Sequence, residues 1–110
     1  MRFIQLNEKK ALLSAVELNK RIAGINDCVC LLTEPYRYKG KLASIGAGLS
    51  RITGGDRDVR AAILFGPEAP VVELGHFSNL DCAAGLIKLP EQTVLVASIY
   101  LDINLSLIHI

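Results

Sequence analysis

The residue best placed to do chemistry is Glu34. It closes the run Asp27-Cys28-Val29-Cys30-Leu31-Leu32-Thr33-Glu34-Pro35-Tyr36, where an apolar segment stops at a carboxylate, a proline and a tyrosine. A run of this length with β-branched content fits a strand covered on both faces. Pro35 has no N–H for a ladder and holds its predecessor extended, so the carboxylate is expected at the last strand position, pointing out of a sheet edge. Asn7 is the second candidate, just past a short strand expected over residues 2 to 6. An amide oxygen and a carboxylate are hard donors of the kind Mg²⁺ or Mn²⁺ takes. Two donors do not complete a metal site, so further ligands must come from elsewhere. Taken alone, a solvated glutamate at a strand end is the plainer reading of Glu34.

The element between them is what can bring the two together. Asn7 stands where a helix N-cap belongs, with Glu8 in the first turn at the positive end of the helix dipole. Ala11, Ala15, Leu18 and Ile22 recur at helical spacing, with Leu12 beside them, and Lys9, Lys10, Glu17, Lys20 and Arg21 take the opposite face. Lys20 and Arg21 in the last turn and Gly24 beyond it close the helix. Strand, helix and apolar strand form a βαβ unit, whose right-handed crossover makes the strands parallel. Their carboxyl ends then share one edge, the place where such sheets bind ligands, so Asn7 and Glu34 converge.

A second constellation is basic. Net charge is only +1, but residues 1–60 carry eleven Lys/Arg against six Asp/Glu and residues 61–110 one against five. Arg37, Lys39, Lys41 and Arg51 lie in residues 35–51, which contain no acid, and can meet phosphate; a solvated charged loop is the commoner outcome. Residues 36–57 hold five glycines and little periodicity apart from a short strand near 49 to 52, which predicts a long mobile loop. Gly46-Ala47-Gly48 is not a nucleotide-binding fingerprint, because Arg51 stands where its third glycine is required.

Beyond Asp58 the period changes to that of strands, over residues 60–65, 71–75, 83–89 and 93–101, joined by Gly/Pro turns into an antiparallel meander. The run 94–101 is continuously apolar and predicts a strand buried on both faces. His76 has no partner at ligand spacing. Cys28, Cys30 and Cys82 are odd in number and lack zinc or redox spacing, the usage of reduced thiols inside a cell. No apolar run reaches bilayer length and the first 25 residues carry too many charges for a secretory signal, so no membrane partner is expected. The 51% hydrophobic content excludes disorder, and 110 residues make one domain or part of one.

Phe3-Ile4-Gln5-Leu6-Asn7, the helix, Leu31-Leu32-Thr33-Glu34-Pro35-Tyr36, the glycine-rich basic loop, Arg60-Ala61-Ala62-Ile63-Leu64 and Ala97-Ser98-Ile99-Tyr100-Leu101 together resemble the front half of an endonuclease/exonuclease/phosphatase domain. The likeness is to the apurinic-type endonuclease that precedes the reverse transcriptase in non-long-terminal-repeat retrotransposon polyproteins, and it covers residues 2–104. The resemblance implies the N-terminal half of a four-layer α/β sandwich that nicks DNA with Mg²⁺ or Mn²⁺. It also implies a reverse transcriptase domain in the same polyprotein and nuclear access in a eukaryotic host. By it, Asn7 and Glu34 belong to the metal site, Glu34 also being catalytic, and Tyr100 of the Ser-x-Tyr strand lies near the scissile phosphate. The family's Gly-Asp-x-Asn segment, its second half and its terminal Asp-His are missing, so this chain alone is expected to be inactive. Residues 105–110 are what a transposase-based sequencing adapter encodes in this frame and are set aside, leaving 1–104 as a partial domain. Two rivals stand beside this reading: a small α/β module that binds a polyanion without chemistry, and another phosphoesterase of the same superfamily.

Overall fold

The computed structural model describes residues 1–42 and 48–101; the proposed adapter tail and residues 43–47 of the glycine-rich stretch lie outside them. The elements are β1 (Arg2–Asn7), α1 (Leu12–Ile22), β2 (Cys28–Thr33), β3 (Arg37–Tyr38), β4 (Lys41–Leu42), β5 (Ser50–Ile52), β6 (Ala61–Phe65), β7 (Val71–Glu73), a 3₁₀ turn (Gly75–Phe77), β8 (Cys82–Lys88) and β9 (Thr93–Ile99). They build a mixed sheet in the order β1-β2-β6-β5, an antiparallel sheet β7-β8-β9 and a small hairpin β3-β4. This is the expected α/β class. The βαβ unit is present, with β1 and β2 parallel and in register from Arg2 opposite Cys28 to Asn7 opposite Thr33.

The helix begins later than its spacing suggests. Asn7 is the last residue of β1, and the helix N-cap is Ala11, which makes no side-chain cap. Glu8 is therefore not in the first turn. Its N–H continues the parallel ladder onto the Thr33 carbonyl at 3.0 Å, and the chain then turns through Lys9 and Lys10 at φ 53° and 59°. Ala15, Leu18 and Ile22 are buried as the periodicity requires, whereas Leu12 is half exposed. Lys20 and Arg21 occupy the last turn and Gly24 follows at φ 77°, a left-handed conformation that costs glycine little.

Two cores divide the molecule into three layers. Leu18 and Ile22 of α1 pack on Cys28, Cys30 and Leu32 of β2 and on Ala62, so even positions of β2 face the helix. Val29, Ile52 and Ile63 of the mixed sheet pack on Ala83 and Ile87 of the antiparallel sheet. Each fully buried Leu or Ile contributes about 1.5–3 kcal/mol to holding the layers together. The three cysteines are free, and burial pushes the Cys30 thiol up to about 12.

Two expectations about the later strands are corrected. The strand over residues 60 to 65 does not join the meander; as β6 it inserts antiparallel between β2 and β5, leaving β7-β8-β9 as the meander. The Gly/Pro segment after it is a passage between layers, not a hairpin. Gly66 N–H donates to Cys28 O and Glu68 N–H to Asn26 O, and a Cβ at Gly66 would collide with the Asn26 carbonyl. The final strand, moreover, is covered on one face only. Val96 packs inward and Ser98 is buried, while Leu95 and Ile99 are 64% and 55% exposed. A continuous apolar run cannot by itself say whether one face or two will be covered. No helix among the described residues is long and apolar enough to cross a membrane.

Candidate active site

Parallel register sets the first two candidates side by side. Asn7 ends β1 opposite Thr33, and Glu34 is the next residue, so both stand at the same edge of the mixed sheet. The connections are cross-tied there: Lys10 N–H donates to the Glu34 carbonyl at 2.8 Å, and Glu34 N–H donates to the Arg60 carbonyl at 2.9 Å. Glu34 is not the extended strand residue that Pro35 was expected to enforce. Its φ is +46°, because backbone bonds on both sides hold it in a left-handed turn after the strand has ended. A non-glycine residue held this way costs about 1–3 kcal/mol, and such conformations cluster where a side chain must be aimed. Asn7 Oδ1 accepts the Lys9 N–H at 2.8 Å, which orients the amide and leaves one lone pair on that oxygen.

Sequence reasoning missed the role of Glu8. Its side chain is only 3% exposed, and Oε1 accepts the Tyr36 N–H at 3.0 Å. It lines a small cavity with Ala15, Leu18, Leu32 and Leu64. Burial pushes its carboxyl up and the Tyr36 hydrogen bond opposes the shift more weakly. Glu8 thus ties the segment after β1 to the Glu34-Pro35-Tyr36 turn. In the sequence it was indistinguishable from a surface acid near a helix start.

Tyr100 follows β9, and its N–H donates to the Asp81 carbonyl at 2.8 Å. The Arg60 guanidinium lies 5.8 Å from the Tyr100 ring centroid and its Nε pairs with the Asp81 carboxylate. Since the Arg60 carbonyl also receives the Glu34 N–H, one residue links the Glu34 backbone to the Tyr100 ring. Ser98, two residues earlier, is buried and donates from Oγ to the Leu32 carbonyl at 2.5 Å, joining β9 to the end of β2. Asn7, Glu34 and Tyr100 are therefore gathered at one end of the molecule; sequence reasoning named Arg60 and Ser98 only as motif residues and did not single out Asp81, and their roles as partners here come from the fold. The arrangement offers an amide oxygen, a carboxylate, a phenol and a guanidinium.

The basic residues are more structured than predicted. Residues 37–42 form the β3-β4 hairpin, pairing Arg37 with Leu42 and Tyr38 with Lys41, where a loop was expected. The strand near residue 50 is present as β5. Arg37 is not free of acids, since its Nη1 lies 3.3 Å from Asp58 Oδ1, a partner beyond the acid-free stretch. Arg51 Nη1 donates to the Leu42 carbonyl at 3.1 Å, and Lys39 Nζ lies 5.5 Å from the Tyr38 ring centroid. Lys39 and Lys41 are exposed. His76 is exposed in the 3₁₀ turn, and no group of three or more His, Cys, Asp or Glu side chains able to hold a metal occurs among the described residues.

No family model matches the chain, and no curated protein matches it. Among solved structures, the endonuclease domain of TRAS1, a telomere-specific non-LTR retrotransposon, superposes with a TM-score of 0.75 at 18% identity. The match covers 91% of this chain and 45% of that one, so the chain spans less than half the length of the domain it resembles. At that identity the likeness establishes architecture: the chain has the α/β fold found in a retrotransposon endonuclease domain.

Proposed function

We propose that this chain carries part of the active site of a divalent-metal-dependent DNA endonuclease of the retroelement type, encoded ahead of a reverse transcriptase domain. The observation that carries the reading is the parallel register of β1 and β2, which sets Asn7 and Glu34 at one sheet edge in a fold shared with a retrotransposon endonuclease domain. Their oxygens suit a hard cation in kind, and Asn7 and Glu34 would hold Mg²⁺ or Mn²⁺. Such an ion supplies positive charge against the phosphoryl oxygens of a phosphodiester. Tyr100 would donate its phenolic hydrogen to a phosphate oxygen, with its ring oriented by Arg60 and Asp81. Arg37, Lys39, Lys41 and Arg51 would meet the DNA backbone. No group of three or more His, Cys, Asp or Glu able to hold a metal occurs among the described residues, and the chain matches only 45% of the endonuclease structure it resembles, so cleavage is expected from a protein extended to the length of that domain and not from these 110 residues alone.

Nicking of supercoiled plasmid by the extended protein tests this. Activity is expected with Mg²⁺, none with EDTA, and a loss of at least 100-fold in Glu34→Ala. Full nicking by the extended Glu34→Ala protein removes the catalytic assignment. Salt-sensitive DNA binding without nicking would favour the polyanion-binding module, which the cation-rich hairpin also suits.

A further inference from the structure

We propose that the β3-β4 hairpin is a rigid base-stacking element, with Tyr38 as the platform for an unpaired nucleotide delivered to the Glu34 edge. It rests on the nucleic-acid part of the reading above and not on its metal chemistry. Two residue pairs are too few to hold a hairpin alone, so its shape must be imposed by its surroundings. Its turn is Lys39-Gly40, with φ 54° and 79°, the pair of left-handed residues that a tight two-residue hairpin demands. Glycine meets that demand easily and lysine does not.

The strain is held from behind. Asp58 N–H donates to the Gly40 carbonyl at 2.7 Å, Arg57 Nη2 donates to the Lys39 carbonyl at 3.0 Å, and Arg37 pairs with Asp58. Asp58 is itself left-handed at φ 57°. A Cβ at Gly40 would come within 2.9 Å of Arg57 Nη2, so the clamp sits directly against the turn. A strained hairpin fastened by two consecutive residues of another segment holds whatever it displays in a fixed position.

It displays an aromatic ring between cations. Tyr38 is 63% exposed, Lys39 reaches over its ring, and Lys41 is its cross-strand partner. Residues 37–58 contain five Lys/Arg against Asp56 and Asp58. A flat neutral ring flanked by ammonium groups matches a base flanked by phosphates, with stacking on the ring and charge pairing on either side. Bases within a duplex already have both faces stacked, so the ring can be reached by an unpaired or extruded nucleotide. The hairpin starts directly after Tyr36, whose N–H Glu8 holds, so a stacked nucleotide would sit close to the Asn7–Glu34 edge.

The test is fluorescence anisotropy of the 110-residue chain in EDTA, which removes metal chemistry from the readout. The probes are a labelled 12-nucleotide single strand, the same strand fully paired, and a duplex with one central unpaired base, each at 50 and 200 mM NaCl. Single-stranded and bulged probes should bind more tightly than the paired one. Tyr38→Ala should weaken single-strand binding about tenfold without changing its salt dependence, and Tyr38→Phe should stay within twofold of wild type. Lys41→Ala should weaken all three probes and reduce the salt slope by about one charge. The proposal is overturned by wild-type affinity in Tyr38→Ala, by equal losses in the Phe and Ala variants, by equal affinity for paired and unpaired probes, or by no binding at 50 mM NaCl. Nicking without this stacking pattern leaves the endonuclease reading standing alone, and the stacking pattern without nicking does the reverse.

Discussion

Glu8 is a carboxylate held among apolar side chains by one hydrogen bond to its Oε1, from Tyr36 N–H. Its folded-state carboxyl is raised above the ordinary 4.5 by burial, so the native protein keeps a proton that the unfolded chain has released. The associated stability is fully present below pH 4.5 and is lost as pH rises through the folded value. Glu8→Gln keeps an acceptor for Tyr36 and removes the charge. It is expected to be more stable than wild type at pH 7, with that advantage gone at pH 4, as read from urea midpoints at both pH values. Glu8→Leu fills the space but leaves the Tyr36 N–H unpaired, which should cost about 1–3 kcal/mol at either pH.

Among the elements, β9 is tied to the mixed sheet by packing and by the Ser98 Oγ bond to the Leu32 carbonyl. Ser98→Ala should lower stability by about 1 kcal/mol in urea titration. It should also speed amide exchange at Tyr100 and Glu34, because both backbones belong to the connections that this bond draws together. A variant whose exchange increases everywhere equally would show a plain packing loss. A second junction lies where the chain after β5 crosses the one before β8. A Cβ on Gly54 would overlap the Asn79 backbone, so Gly54→Ala should destabilise by roughly 1–3 kcal/mol or more, a cost that thermal denaturation would register as a lowered midpoint.

At the scale of the whole molecule, the antiparallel sheet presents an apolar outer face. Val72, Leu86 and Leu95 are cross-strand neighbours, Ile99 continues the same side, and Val72, Leu95 and Ile99 are 43%, 64% and 55% exposed. Contiguous apolar surface of this kind promotes association, and among the described residues β9 pairs with β8 on one side only, at the end of the sheet. The 110-residue chain is expected to show a concentration-dependent apparent mass in light scattering. Leu95→Lys should shift it toward the monomer while altering stability by no more than about 0.5 kcal/mol. A wild-type chain that stays monomeric at high concentration would show this face to be tolerated as it stands.

The sequence by itself determined what depends on periodicity and on neighbouring residues. Ala15, Leu18 and Ile22 mark one helix face, the unbroken apolar run of residues 28–32 marks a buried strand, and the crossover between them makes the strands parallel. That was enough to set Asn7 and Glu34 at a common edge, because parallel strands end on the same side. Only the tertiary structure decided that β6 leaves the meander for the mixed sheet, since a strand's partner is chosen by packing between segments distant along the chain. It likewise decided that Glu8 is buried, that Arg37 finds Asp58, and that Arg60 joins Glu34 to Tyr100. A charged residue's chemistry depends on what surrounds it in space, and separations of 21 to 40 positions along the chain hide those partners from any local pattern.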